Sequence, residues 1–94
     1  MLDVAQAMVL VVGAGPVGER RALAFHEAGA DVTVVAPRIS PALEAAAAAS
    51  ARLHLDRRPY REGDVGAATL VVAATDDPTV NAAVAADARA LGRL

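Results

Sequence analysis

Three glycines lie at the spacing that lets a backbone wrap closely around a phosphate group: Gly13, Gly15 and Gly18 form the pattern G-x-G-x-x-G. The first permits a tight turn, the second lets the backbone approach a pyrophosphate without a Cβ in the way, and the third lets a helix pack closely on a strand. The motif follows the apolar run Met8–Val12 and precedes a helix-compatible segment that begins at Pro16. That strand–turn–helix context predicts a dinucleotide-binding turn, with the N–H groups of the helix start facing the phosphates.

The end of the second predicted strand is where a dinucleotide-binding fold usually has an Asp or Glu for the adenosine ribose. Here Val35 is followed by Ala36, Pro37 and Arg38, none of which is acidic. Three interpretations stay open on the residues alone. The backbone at these positions holds the ribose of NAD, the Arg38 side chain accepts the 2′-phosphate of NADP, or Arg38 is a solvated loop residue.

A polar segment, Ala74 to Asp77, follows the fourth predicted strand. In a sheet of order 3-2-1-4, strands 1 and 4 are neighbours at a topological switch point, and ligands bind outside the carboxyl ends of the strands there. We therefore expect this segment and the glycine motif to flank one crevice, with Thr75 near a cofactor or substrate. Asp77 is interpreted as a helix cap before Pro78, and Asp76 is either a turn residue or a site residue.

Apolar runs and capping residues alternate along the chain, which predicts alternating strands and helices. The expected fold class is α/β, a Rossmann-like parallel sheet of order 3-2-1-4 with helices on both faces, and residues 1–94 are expected to form a single domain. The predicted strands are Met8–Val12, Asp31–Val35, Leu53–Leu55 and Thr69–Ala73, and the predicted helices run over Pro16–Ala28, from Pro41 after a Ser40 cap, and from Pro78 to about Leu91.

Composition argues against several classes of protein. The net charge of −2 provides no basic surface for nucleic acid, and the absence of cysteine excludes disulfides, thiolate nucleophiles and Cys-based zinc sites. No segment has the length and apolar character of a membrane span, so a cytoplasmic location is expected. The two histidines, His26 and His54, are interpreted as structural, and Arg20, Arg21, Arg57 and Arg58 as solvated.

Several segments together resemble the NAD-binding domain of the precorrin-2 dehydrogenases, some of which are also sirohydrochlorin ferrochelatases. The resembling segments are Met8–Gly18 with Glu19-Arg20-Arg21, GADVTVVAP at Gly29–Pro37, Arg58-x-Tyr60 with Asp64, and AATDDPTVN at Ala73–Asn81. The last is the most specific of them. The chain departs from the family's usual sequence at three positions. The family usually has Gly where this chain has Ala14, often has Ala in place of Gly18, and often has Lys in place of Arg21.

The resemblance implies NAD⁺ as the hydride acceptor and precorrin-2, a tetrapyrrole, as the donor. It implies no catalytic residue in this chain, because the family's proposed catalytic Asp ends a further strand, which precedes a dimerisation and substrate-binding region. A homodimer is expected from an open edge at strand 4. A regulatory nucleotide-sensing domain of the potassium-transport type and a non-catalytic scaffold are the alternatives. The candidate cofactor-binding residues are Gly13, Gly15, Pro16, Val17, Gly18, Ala36, Pro37, Arg38 and Thr75.

Overall fold

Strands and helices alternate along most of the chain in the computed structural model, which describes residues 7–66 and 68–92. These residues form four strands and three helices. Their order and bounds are β1 (Met8–Val12), α1 (Pro16–Glu27), β2 (Asp31–Ala36), α2 (Pro41–Ala48), β3 (Leu53–Arg57), β4 (Leu70–Ala73) and α3 (Pro78–Ala90).

The strands form one parallel sheet of order β3-β2-β1-β4, which confirms the predicted Rossmann-like topology. In the central pair, Met8 of β1 is opposite Asp31 of β2 and Val12 is opposite Val35. On the other side of β1, Val12 is opposite Ala73 at the end of β4. The chain therefore winds away from β1 in both directions, and the carboxyl ends of β1, β2 and β4 lie along one edge of the sheet.

Each face of the sheet has its own apolar core, and helices cover both faces as predicted. On one face, Val11 and Val34 pack with Ala22 of α1 and Leu43 of α2. On the other face, the core combines strand residues with α3 and with a loop, and its buried members are Leu10, Val12, Val35, Val65, Ala68, Val71, Val84 and Ala88. Small aliphatic side chains thus allow close helix–sheet packing, as a parallel sheet requires.

The loop between β3 and β4 takes the place of a crossover helix on the α3 face. Its Val65 is 1% exposed and packs in the core. The loop is held by Asp64, whose carboxylate accepts two hydrogen bonds from the Arg58 guanidinium, at 2.7 and 2.8 Å, and one from the Arg61 backbone N–H at 2.7 Å. These hydrogen bonds, led by the one from Arg58, lower the pKa of Asp64. The interpretation of Arg58 as a solvated residue was wrong, because its side chain is only 27% exposed.

Helix ends follow the predicted caps closely. Asp77 accepts hydrogen bonds from the N–H groups of Thr79 and Val80, and Ser40 accepts one from Leu43. At the end of α1, Gly29 has φ +100° and donates to His26, a left-handed C-terminal cap of the Schellman type. Pro41 and Pro78 follow the Ser40 and Asp77 caps directly, whereas Pro16 begins α1 after Gly15, which supplies no side-chain cap.

Strand and helix boundaries differ from the predictions by one or two residues. β2 extends to Ala36 and β3 to Arg57, because these two residues are opposite each other in the parallel pair. β4 begins at Leu70, although the Thr69 N–H still donates to the Met8 carbonyl at 2.7 Å. α1 ends at Glu27 with Ala28 as its cap.

The histidines make side-chain contacts within the fold. His26 Nε2 lies 2.8 Å from the Ser50 hydroxyl, and His54 Nε2 lies 3.0 Å from the Asp31 carboxylate. Among the described residues, no group of three metal-ligating side chains forms a candidate metal site. In the same part of the chain, every helix is too short or too polar to cross a membrane.

We predict that Asp64→Asn lowers the free energy of unfolding by about 1–3 kcal/mol at neutral pH, because a half-buried guanidinium loses its charged partner. Since the folded-state pKa of Asp64 is lowered, its contribution is present above the usual carboxyl pKa of about 4 and disappears as the pH falls through the lower folded-state value. Urea unfolding of both proteins between neutral and acidic pH measures this. The difference between them is expected to shrink in acid.

Asp56→Asn is the matched control for this prediction. Asp56 contacts the same guanidinium, but at 3.5 Å and with a side chain that is 51% exposed, so its loss is expected to change stability by less than about 0.5 kcal/mol. Equal effects of the two substitutions would show that the Arg58–Asp64 pair does not hold the loop.

Candidate functional site

A crevice of about 560 Å³ opens at the carboxyl edge of the sheet, between the β1–α1 turn, the end of β2 and the β4–α3 loop. This size lies within the range of about 300–1,000 Å³ that is usual for ligand pockets. Its position is the topological switch point between β1 and β4. The residues that line it are Gly13, Ala14, Gly15, Pro16, Val17, Ala36, Pro37, Arg38, Ala74, Thr75 and Asp76.

Nearly all of the residues singled out in the sequence meet in this crevice. Of the nine candidates, only Gly18 is not on its wall. Gly18 is buried in the first turn of α1, where an added Cβ would lie 2.2 Å from the Gly13 carbonyl oxygen. Gly18 therefore lets α1 pack closely against the turn at Gly13 without lining the crevice, as the helix-packing role of the third glycine predicts.

Gly13 allows the β1–α1 turn and the β4–α3 loop to touch. Its φ is +107°, a conformation that L side chains rarely adopt. An added Cβ would lie 2.6 Å from the Ala74 carbonyl oxygen and 2.9 Å from the Thr75 nitrogen. Its N–H donates to the Val35 carbonyl at 2.9 Å. One glycine thus links the ends of β1, β2 and β4.

Gly15 faces open space. It precedes α1 as the N-cap residue in an extended conformation, and an added Cβ would meet nothing within 4 Å. A helix start leaves its first N–H groups without intrahelical acceptors, and Gly15 has no side chain to supply one. The N–H groups of Val17 and Gly18 and the positive end of the helix dipole could therefore hold an anion next to the crevice.

The end of β2 forms the second part of the wall without an acidic residue. The Ala36 carbonyl accepts a hydrogen bond from the Arg58 N–H at 3.0 Å, and Pro37 has no N–H to donate. The Pro37 carbonyl and the backbone N–H and side chain of Arg38 are the groups left for a ribose. Regulatory domains of the potassium-transport type usually have an acidic residue after this strand. In this chain Pro37 and Arg38 follow Ala36 instead.

The β4–α3 loop forms the third part of the wall, and Asn81 holds it from the first turns of α3. The Asn81 amide oxygen accepts hydrogen bonds from the Thr75 N–H at 3.1 Å and the Thr75 hydroxyl at 2.7 Å, and the Asn81 NH₂ donates to the Thr75 carbonyl at 3.0 Å. The hydroxyl of Thr75 has a single hydrogen, and it is donated within the fold, where the Asn81 amide oxygen and the Asp77 carbonyl oxygen are its acceptors. Thr75 therefore shapes the wall and can offer a ligand only an acceptor.

Sequence reasoning left two contributors out of the set of candidate site residues. Asn81 was not among the candidates, and its spacing of six residues from Thr75 is the signal that could have identified the clamp. Asp76 was left undecided, and the structure places it on the crevice wall. The other lining side chains are apolar apart from Arg38 and Thr75, so the wall could hold a ligand largely through apolar contacts, with an anionic group of that ligand at the start of α1.

Comparison with known proteins agrees with this geometry. A family model described as "Putative NAD(P)-binding" matches residues 1–94. The chain belongs to this NAD(P)-binding family. The crevice with its glycine turn is thus the part of an NAD(P)-binding domain where a nicotinamide cofactor is expected.

The solved structures that are similar to this domain include one that matches most of the present chain. It is SirC, a precorrin-2 dehydrogenase, with 38% sequence identity and a TM-score of 0.83 over 90% of this chain. The match covers 42% of the SirC chain, so the present chain spans less than half the length of that protein. The resemblance predicted from the sequence is confirmed for the NAD-binding domain.

Gly13→Ala is predicted to destabilise the NAD(P)-binding domain by about 2 kcal/mol or more, because it combines an unfavourable φ with a backbone collision. Gly15→Ala is the matched substitution with the same added methyl group. It is expected to change the free energy of unfolding by less than about 1 kcal/mol, the effect of replacing an N-cap glycine. Thermal unfolding of both variants tests this. Similar melting temperatures for the two variants would contradict the proposed contact between the turn and the loop.

Proposed function

We propose that this domain binds NAD⁺ and serves as the cofactor domain of a precorrin-2 dehydrogenase. One observation carries the proposal: the open backbone at Gly15 and the free start of α1 face a crevice at the switch point between β1 and β4. The similarity to SirC supports the choice of precorrin-2 as the substrate class.

The residues of the crevice fit a dinucleotide in three parts. The space next to Gly15 would be filled by a Cβ at that position, so a pyrophosphate can approach the backbone only because the residue is glycine. The start of α1 offers N–H donors and a positive dipole to the two phosphates. The segment Ala36–Arg38 would hold the adenosine, since the ribose of a bound dinucleotide lies at the end of the second strand.

In the proposed reaction the chain binds and orients rather than transfers protons. NAD⁺ would accept a hydride from precorrin-2, giving NADH, sirohydrochlorin and a released proton. Pro16 and Val17 would cover the bound cofactor from the α1 side, and Thr75 would hold the opposite wall in place. We assign no proton acceptor to the described residues.

The choice of NAD over NADP rests on the end of β2. The Ala36-Pro37 ending resembles that of the NAD-using family, and the described structure provides only one cationic side chain, Arg38, on the crevice wall. A 2′-phosphate site usually has an Arg placed for it, and Arg38 is exposed in the loop that follows β2. We propose that Arg38 contacts the adenosine from solvent and that its loss changes NAD⁺ affinity little.

Calorimetric titration of the chain with NAD⁺ and NADP⁺ tests the proposed function. We expect saturable binding with a preference for NAD⁺. Gly15→Ala is expected to weaken NAD⁺ binding at least about tenfold while the protein stays folded, because the methyl group would occupy the pyrophosphate position. Unchanged NAD⁺ affinity in Gly15→Ala would show that the pyrophosphate does not lie on this turn.

Arg38→Ala separates the two cofactor interpretations. If the proposal is correct, this substitution changes NAD⁺ affinity less than about threefold, as expected for a solvated charge. Tighter binding of NADP⁺ than NAD⁺ by the wild-type chain, together with loss of that preference in Arg38→Ala, would assign Arg38 to a 2′-phosphate and overturn the choice of NAD.

A further inference from the structure

Asp76 is the one acidic side chain on the wall of the crevice as the structure describes it. It lies in the β4–α3 loop between Thr75 and Asp77, which are both committed to the fold. Thr75 is held by Asn81, and the Asp77 carboxylate caps α3. Asp76 is exposed, and within residues 7–66 and 68–92 its carboxylate takes part in no hydrogen bond or salt bridge.

The topology determines which half of a dinucleotide would approach Asp76. The adenosine ribose lies at the end of the second strand, and the pyrophosphate lies at the start of the first helix. β2 and β4 are on opposite sides of β1. A dinucleotide with its adenosine over β2 therefore extends its other nucleoside across β1 toward the end of β4, where Ala74, Thr75 and Asp76 form the wall.

The charges along the crevice change from positive to negative in the direction from β2 to β4. Arg38 lies at the β2 side, the positive end of the α1 dipole is in the middle, and the Asp76 carboxylate lies at the β4 side. An acidic group at the β4 side would not help to bind a phosphate. It would attract a positive charge, and the ring of oxidised nicotinamide is positively charged whereas that of NADH is neutral.

We infer that Asp76 is a specificity-determining residue that makes the crevice bind NAD⁺ in preference to NADH, through attraction between its carboxylate and the nicotinamide cation. This inference rests on the proposed function, because it requires a nicotinamide dinucleotide in this crevice. The effect would favour entry of the oxidised cofactor and release of the reduced one. A carboxylate that only accepted hydrogen bonds from the ribose would act on both forms equally.

The test is the ratio of the dissociation constants of NADH and NAD⁺, measured by calorimetry in wild type and in Asp76→Asn. We expect the substitution to weaken NAD⁺ binding about three- to tenfold, as for a single charge pair at the edge of a protein, and to leave NADH binding nearly unchanged. Asp76→Glu keeps the charge and is expected to retain the wild-type ratio. Raising the salt concentration is expected to reduce the ratio in wild type and not in Asp76→Asn.

Glu27→Gln is the matched control, since it removes the same charge from an exposed residue at the far end of α1. The length of that helix, about 1.5 Å for each residue, separates it from the crevice. Its ratio is expected to equal that of wild type. An equal change in Glu27→Gln would assign the effect to overall charge and overturn the role of Asp76.

The remaining outcomes separate this inference from the proposed function. Equal weakening of NAD⁺ and NADH in Asp76→Asn, or no change in either, would overturn the inference while the proposed function stands. If the wild-type chain bound neither cofactor, the proposed function and this inference would both be wrong.

Discussion

The close approach of the β1–α1 turn to the β4–α3 loop is the constraint on which the site depends. Gly13 lies so near Ala74 and Thr75 that a single Cβ would collide with their backbone, and Gly18 packs against the Gly13 carbonyl from the other side. The Gly13 N–H also donates to the Val35 carbonyl at the end of β2, so three segments that are distant in the chain meet at this residue. The crevice exists because glycine leaves no side chain at this meeting point, so that the start of α1 and the end of β4 can form opposite walls.

The two faces of the sheet support this meeting point in different ways. α1 and α2 cover one face, and a core of small aliphatic residues lets them lie close to the strands. On the other face α3 is the one helix within residues 7–66 and 68–92, and the β3–β4 loop supplies further apolar contacts through Val65 and Ala68. The Arg58–Asp64 pair closes that loop, while the Tyr60 hydroxyl donates to Asp87 of α3. β4 is held beside β1 by the parallel pairing, and the loop that leads to it is held by these polar contacts.

The polar groups near the crevice divide into those that build the wall and those that remain for a ligand. Asn81, Thr75 and Asp77 satisfy one another and the start of α3. The N–H groups at the start of α1, the Arg38 side chain and the Asp76 carboxylate remain. Their order across the crevice is suited to a ligand that is anionic in the middle and cationic at one end. That description fits an oxidised nicotinamide dinucleotide.

The sequence by itself determined the features that depend on local chemistry. The glycine spacing, the apolar runs of the strands and the caps at Ser40, Asp77 and Gly29 act within a few residues, so the topology and nearly all of the crevice wall were predictable. Only the tertiary structure decided the contacts between distant segments. Ala36 joined β2 because β3 lies beside it, Arg58 became half-buried through its pairing with Asp64, and Asp76 was placed on the wall by the clamp of Asn81 on Thr75. Such contacts depend on how the packed elements are oriented, which no spacing along the chain specifies.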